Sequence, residues 1–498
     1  MIQKRPSKFS VFLSHVSVLG ACCLALLQWP GNVQAATPTT DSADRNVQQK
    51  NILFIAIDDL RPELSVYGKP YMQTPAIDRL ASGGVVFARA YTSVPVCGAS
   101  RASLLTGLWP TRTRFVGVDS KIDIDAPGIP TLPAHFKSAG YTTISLGKII
   151  HGSNDALSSW SEEPWHPKSG LKRGKESFRN YLLQENITND VADNGLRPAY
   201  EAADVPDDAY FDGQIAERAI ETLQALKSGG KPFFLAVGFV KPHLPFNAPK
   251  KYWDMYPPDS ISLTDNPLFP ETAPDKASHS WGELRKYADI PDKKGPVPDD
   301  IALKLIQGYY ASTSYSDAQV GRVLLELERL SLDENTIVVV WGDHGWSLGE
   351  HGLWAKHSTF NLANQIPVIV RAPGMSQGEV AQGLIESVDI YPSLVELADL
   401  QLPDHLDGTS FVPILQDPDV TTKDAVYPRW KDADSIRTDR YYYTEWRDKQ
   451  GKVVSRMLYD HNNDPDERVN IAEQPEYAIA VSELSLRLQQ HIQETAGH

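Results

Sequence analysis

The sequence predicts an α/β protein: a large, mainly parallel sheet sandwiched by helices, followed by a small C-terminal α+β subdomain. Three observations carry this. Short, solidly apolar runs recur along the chain, helical stretches fall between them, and near residue 415 the texture changes to aromatic-rich strands and one terminal helix. A strand buried on both faces reads as a continuous apolar run, and alternation with helices marks crossover-connected parallel strands. The 498 residues, 41% hydrophobic and 22% charged, have the composition of an ordinary globular protein, which excludes collagenous, disordered and disulfide-scaffold classes.

The N-terminus comes first. Lys4, Arg5 and Lys8 precede an apolar stretch from Val11 to Leu27, Gln28-Trp29-Pro30-Gly31 breaks it, and Val33-Gln34-Ala35 supplies the small-x-small pattern of a cleavage site. Residues 1–36 are therefore expected to be a signal peptide, and the mature protein to be periplasmic or secreted with no transmembrane anchor. Ser14, His15, Ser17 and Gly20 interrupt the run, which falls short of the roughly 20 apolar residues that span a bilayer. A second expectation stays open: Leu19-Gly20-Ala21 before Cys22 loosely resembles a lipoprotein box, which would leave Cys22 acylated.

After the polar linker Thr37 to Gln49, strands are expected at Asn51 to Ile57, Tyr141 to Leu146, Phe233 to Phe239, Ile337 to Trp341 and Val368 to Val370, all with the profile of buried parallel strands. Helices are expected at Thr74 to Gly83, Arg101 to Thr106, Phe211 to Leu226, Ile301 to Leu330 and Val388 to Leu397. Residues 153–210 and 245–300, rich in Pro, Asp, Ser and Trp, read as long excursions that shape a site. Arg440 to Trp446 and Val453 to Tyr459 form an antiparallel pair, and a final helix runs from Pro475 to Gln493. The expected units are 45–415 and 416–498.

The net charge of −15, without a Lys/Arg block, argues against nucleic-acid binding. It leaves room for an anionic small substrate held by local cations. Asn186-Ile-Thr188 fits a glycosylation sequon, a short pattern that is frequent by chance.

Chemistry collects at the carboxyl ends of predicted strands, where open α/β sheets place their ligands. Asp58-Asp59 follows the first strand, and Asp343-His344 follows the strand ending at Trp341. Adjacent carboxylates repel unless a cation sits between them, although a solvated turn would also accommodate the first pair. Three carboxylates favour a hard cation such as Ca²⁺ or Mg²⁺, while the histidine nitrogen keeps Mn²⁺ and Zn²⁺ open. Cys97 is the one cysteine left after cleavage. It stands near a helix N-terminus, where the dipole and backbone N–H groups favour a thiolate or an anion, with Arg101 one turn on. Taken alone, it would also fit a buried small hydrophobe.

Cys97-x-Ala99-x-Arg101 followed by Ala-Ser-Leu-Leu-Thr-Gly107 resembles the signature of type I sulfatases, the formylglycine-dependent members of the alkaline-phosphatase-like superfamily. Asn51 to Asp59, Thr74-Pro-Ala-Ile-Asp-Arg-Leu80, Gly147-Lys148-Ile-Ile-His151, Lys241-Pro-His243-Leu-Pro-Phe246, Trp341 to Lys356 and Leu458 to Asn470 match blocks of that family in order. Gly342 to Lys356, with the Gly-Lys-x-x-His spacing, is most similar to the iduronate-2-sulfatase branch. Ala99 departs from the proline usual in the signature, which bears on the enzyme that matures Cys97.

The resemblance implies a sulfuric ester hydrolase acting on a sulfated saccharide, with 45–415 as its catalytic domain. It implies that a formylglycine-generating or other sulfatase-maturing enzyme converts Cys97 to formylglycine, and that Asp58, Asp59, Asp343, His344 and modified Cys97 hold one Ca²⁺ ion. Arg101 would stabilise the formylglycine hydrate, and His243 and Lys356 would flank the leaving oxygen. His151 with Lys148 would deprotonate the hydrate's second hydroxyl, and Trp346 would border the sugar subsite. Other expectations fit the same chain: a sulfatase of algal polysaccharide, a metal-dependent phosphatase or phosphonate hydrolase of the same superfold, and a non-catalytic carbohydrate-binding homologue.

Overall fold

A computed structural model describes residues 49–496 apart from 153, 168–179, 188–196, 289 and 291–294. The expected signal peptide, Cys22 and Thr188 of the sequon lie outside the described residues, as does all of the linker but Gln49.

The main sheet has seven strands: β1 Asn51–Ile57, β2 Val85–Tyr91, β3 Thr142–Gly147, β4 Phe233–Phe239, β5 Thr336–Gly342, β6 Gln365–Arg371 and β7 Glu379–Glu386. Their order across the sheet is β7-β2-β6-β5-β1-β4-β3. In β1 the side chains divide by parity, as a pleated strand requires. Ile52, Phe54 and Ala56 enter one hydrophobic core, and Leu53, Ile55 and Ile57 enter another. The first core is closed by α2 Cys97–Thr106, α3 Leu132–Ser138 and α6 Ile390–Leu397. The second is closed by α1 Pro75–Ser82, α4 Phe211–Gly229 and the long α5 Asp299–Arg329. The architecture is the expected helix-sheet-helix sandwich.

One expectation needs correction. The run Val368 to Val370 belongs to β6, which is antiparallel to both of its neighbours, β2 and β5. Its composition is that of a parallel strand because it too is covered on both faces. Its direction follows from its connection: residues 343–364 contain no crossover helix, so the chain re-enters the sheet at the end where it left. Strands β2 and β7 gave no clear signal in the sequence. Arg89 interrupts the first, and the second is an edge strand with exposed residues in its first half.

The C-terminal sheet contains β8 Ala425–Val426, β9 Arg429–Trp430, β10 Ala433–Thr438, β11 Tyr441–Arg447 and β12 Val453–Asp460. The expected antiparallel pair is β11 and β12. Helix α7 Ala478–Ala496 lays Val481, Leu484 and Leu488 on Ile436, Tyr443 and Leu458 of this sheet.

Register sets the site. Ile57 pairs with Gly342 of β5 and with Phe239 of β4, and Gly238 of β4 pairs with Gly147 of β3. The residues after these strands therefore leave the sheet side by side: Asp58, Asp343, the 240–243 segment and Lys148. Two glycines permit the close passage. Gly147 has φ +70°, and a methyl group on Gly238 would meet the Lys148 carbonyl oxygen at 2.1 Å. Gly238→Ala is expected to cost on the order of 1–3 kcal/mol through overpacking, read as a lower denaturant midpoint. An unchanged midpoint would show that β4 and the chain after β3 do not approach this closely.

Candidate active site

Residues from five separate segments meet at the carboxyl end of the sheet. Cys97 is the first residue of α2, preceded by extended Val96, and all ten residues of that helix are buried. Its Sγ lies 3.2 Å from His344 Nε2, 3.6 Å from Lys356 Nζ and 3.7 Å from Asp59 Oδ1. An amino-terminal helix position ringed by these groups suits an atom that carries or develops negative charge.

Arg101, one turn along, is 1% exposed and ties two strand ends together. Its Nε donates to Asp343 Oδ2 at 2.9 Å, one terminal nitrogen donates to Asp58 Oδ1 at 3.0 Å, and the other donates to the carbonyls of Lys148 and Ile149. Lys148 reaches Asp58 from the end of β3. Lys356 donates to both oxygens of Asp59, at 2.8 and 2.9 Å, and its flanking residues Ala355 and His357 have φ of +69° and +76°. That loop presents Lys356 inward at the cost of two strained residues.

Asp59 itself has φ +60°. Its N–H donates to Asp343 Oδ1 at 2.9 Å, and its carbonyl accepts from the Tyr309 hydroxyl at 2.8 Å. The same hydroxyl accepts from the Arg61 N–H at 2.9 Å. Helix α5 thus supplies a clamp for the turn that carries the carboxylate pair.

The electrostatics are those of a crowded, buried anionic centre. Asp58, Asp59 and Asp343 have no exposed surface. Burial pushes the Asp59 carboxyl up to about 7, against the pull of His243 and Lys356. Burial acts on Asp58 as well, but Lys148, His243, Arg101 and Lys356 outweigh it and hold that carboxyl well below its ordinary range. Burial would lower His344, yet Asp343, Cys97 and Asp59 around it raise it to about 10. A divalent cation would take the place of that proton and relieve the crowding, so the donor set fits a metal. The candidate ligand atoms form two groups sharing the cysteine: Asp58, Asp59, Cys97 and His243 in one, and Cys97, Asp343 and His344 in the other.

The remaining expected residues fall around this centre. His243 Nε2 is 3.9 Å from Asp59 Oδ2, and its Nδ1 lies 2.6 Å from the Leu244 carbonyl oxygen. His151 stands on the Lys148 side. Burial first and Lys148 second lower it to about 4, and its Nδ1 is buried without a hydrogen-bond partner among the described residues. Trp346 departs from its expected place at the sugar subsite. It is 1% exposed, stacked on Tyr309 at 6.4 Å, with Lys356 Nζ 5.2 Å from its ring centre. The ring supports the lysine from beneath, because Phe246 and Tyr309 enclose it.

Three residues without an expected role belong to the site. Lys241, whose ammonium is lowered to about 8 by burial, donates to the His243 carbonyl at 2.8 Å. Tyr309 is the clamp described above. Glu283, from the 245–300 excursion, lies 3.1 Å from His243 Nε2. Lys241 stands within the quoted Lys-Pro-His block, whereas Tyr309 and Glu283 sit in segments with no motif.

Removing the Tyr309 hydroxyl tests the clamp. Tyr309→Phe leaves a buried N–H and a buried carbonyl unpaired, so a loss of about 1–3 kcal/mol in unfolding free energy is expected. A denaturant midpoint equal to that of the wild type would show that the Asp59 turn holds itself.

Comparison with known proteins identifies the assembly. The Sulfatase family model matches residues 50–400, and the model of the N-sulphoglucosamine sulphohydrolase C-terminal region matches residues 349–494. The chain is 36% identical over 430 residues to iduronate 2-sulfatase of Homo sapiens, covering 79% of this chain and 75% of that protein. The structure of BT4656 in complex with its substrate D-glucosamine-2-N,6-O-disulfate superposes with a TM-score of 0.73 at 20% identity, over 91% of this chain and 99% of that one. Phosphonate monoester hydrolase from Silicibacter pomeroyi superposes with a TM-score of 0.72 at 22% identity, over 90% and 96% of the two chains. At such identities the solved structures establish the fold, which is alkaline-phosphatase/sulfatase-like. The chain belongs to the sulfatase family and is a sulfuric ester hydrolase.

Proposed function

We propose that this protein is an exported, exo-acting sulfatase that removes sulfate from a uronic acid or related sugar, using formylglycine at position 97 and a divalent cation, Ca²⁺. The observation that carries it is the placement of Cys97 at the head of a buried helix, within 3.7 Å of both Asp59 and His344 and with Arg101 one turn behind. The 36% identity to human iduronate 2-sulfatase supports the sugar class. The basic, apolar and small-residue order of residues 1–36 supports export to the periplasm or medium, and Cys97 is the residue that a sulfatase-maturing enzyme would convert.

In this reading Asp58, Asp59, Asp343 and His344 hold the cation, with modified residue 97 beside them. When bound, the cation polarises the sulfuryl oxygens and absorbs charge as the ester S–O bond breaks. Residue 97 supplies a geminal diol, one hydroxyl to attack sulfur and one to release it. The side chains already in place do the rest. Arg101 fixes the strand ends and faces the diol with positive charge. His243 and Lys356 stand where the sugar oxygen departs, and one of them donates its proton. His151, kept neutral by burial and Lys148, accepts the proton of the second hydroxyl, so that sulfate leaves.

Two measurements test this. Peptide mass spectrometry of protein co-expressed with a maturation enzyme is expected to find an aldehyde in place of the thiol at residue 97. A thiol retained in fully active enzyme would end the proposal. His151→Gln is expected to release about one equivalent of sugar alcohol per enzyme and then stall. Undiminished steady-state sulfate release would remove His151 from the base role.

A further inference from the structure

Glu283, beside the strand ends, has no part in the proposed mechanism. Glu283 lies between the helical turn Lys250–Trp253 and α5, and its side chain is 19% exposed. Its Oε1 is 3.1 Å from His243 Nε2 and 3.3 Å from Lys356 Nζ, and its Oε2 is 3.1 Å from the same ammonium. The carboxylate therefore binds both groups assigned to the leaving oxygen. Burial would raise its carboxyl, but Lys356 and the His243 hydrogen bond hold it well below the ordinary range, so it is an anion at neutral pH.

Asp59 lies against the same two side chains, at 2.8 Å from Lys356 and 3.9 Å from His243. A metal ion bound to Asp59 would draw on that carboxylate's charge, leaving Glu283 as the anion that orients the pair. The His243 ring is pinned at both nitrogens, Nδ1 against the Leu244 carbonyl oxygen and Nε2 against Glu283. The Lys356 ammonium sits astride both Glu283 oxygens, so its remaining freedom is small.

We propose that Glu283 is a positioning residue for protonation of the leaving group: it holds His243 and Lys356 together at the oxygen that departs from sulfur. The proposal rests on the roles given to those two residues in the proposed function. Its chemical consequence depends on the leaving group. A sugar alkoxide is strongly basic and must receive a proton as its bond to sulfur breaks, whereas an aryl sulfate departs as a stabilised phenolate that needs little help. A residue that only supports the fold would affect both alike.

The experiment compares kcat/KM of wild type and Glu283→Gln on two esters, a sulfated sugar that the wild type hydrolyses and para-nitrophenyl sulfate. Glutamine keeps the size and loses the charge. The ratio of the two rate constants within one variant is independent of how much of it folds or matures. Glu283→Gln is expected to lower the sugar-to-aryl ratio on the order of 10- to 100-fold, the scale of a disturbed general acid. The loss should fall in kcat more than in KM, with partial recovery in Glu283→Asp. An unchanged ratio, whether both rates fall together or neither falls, overturns the proposal. A wild type with matured residue 97 that hydrolyses no sulfated sugar would instead overturn the proposed function, and this inference with it.

Discussion

The structure is organised around the burial of negative charge. Asp58, Asp59 and Asp343 have no exposed surface and stand at the ends of two adjacent strands, where they repel one another. Buried carboxylates persist only when paired, hydrogen-bonded or bound to metal. Arg101, Lys148 and Lys356 converge on them from a helix, a strand end and a loop that are remote in sequence. Arg101 and Lys356 are themselves buried, Lys148 is partly so, and each has its own requirement for acceptors. The centre is therefore a closed set of mutual obligations, and removing any member leaves an uncompensated charge in the interior.

That constraint accounts for much of the architecture. Helix α2 is buried along its whole length because its first residue must reach the strand ends and its fifth must bridge them. Helix α5 runs across the second face, and the Tyr309 hydroxyl fastens the left-handed turn at Asp59. The loop from 343 to 364 folds back on itself to return Lys356 to Asp59, which is also why β6 re-enters the sheet antiparallel. Strain is stored at Asp59, Ala355 and His357, the turn and loop that carry the ionised side chains. Catalytic geometry and local unfavourable backbone coincide because the packed helices on both faces supply the stability that pays for it.

The positions of the candidate residues were legible one by one, and their relations were not. The apolar strands β1, β4 and β5 are continuous enough to be found from composition, and their terminal acidic residues follow directly. Strands β2 and β7 are not legible from composition because Arg89 and the exposed first half of β7 break the apolar pattern. The resemblance implies a place for Trp346 at the border of the sugar subsite, but Phe246 and Tyr309 enclose it beneath Lys356. Glu283 carried no signal at all: a glutamate in a proline-rich excursion is indistinguishable from a solvated one until His243 and Lys356 are found against it.

By itself the sequence determined the α/β class, the principal buried strands, the acidic and cationic residues placed just beyond them, and the resemblance to sulfatases carried by Cys97 and Arg101. These are local properties, set by apolar continuity, helix periodicity and short ordered motifs. Tertiary structure alone decided that Arg101 bridges Asp58 and Asp343, that β6 is reversed, that Trp346 is enclosed beneath Lys356, and that Glu283 faces His243 and Lys356. Those are contacts between segments up to several hundred residues apart, and a local pattern contains no information about which distant side chain will share a buried charge.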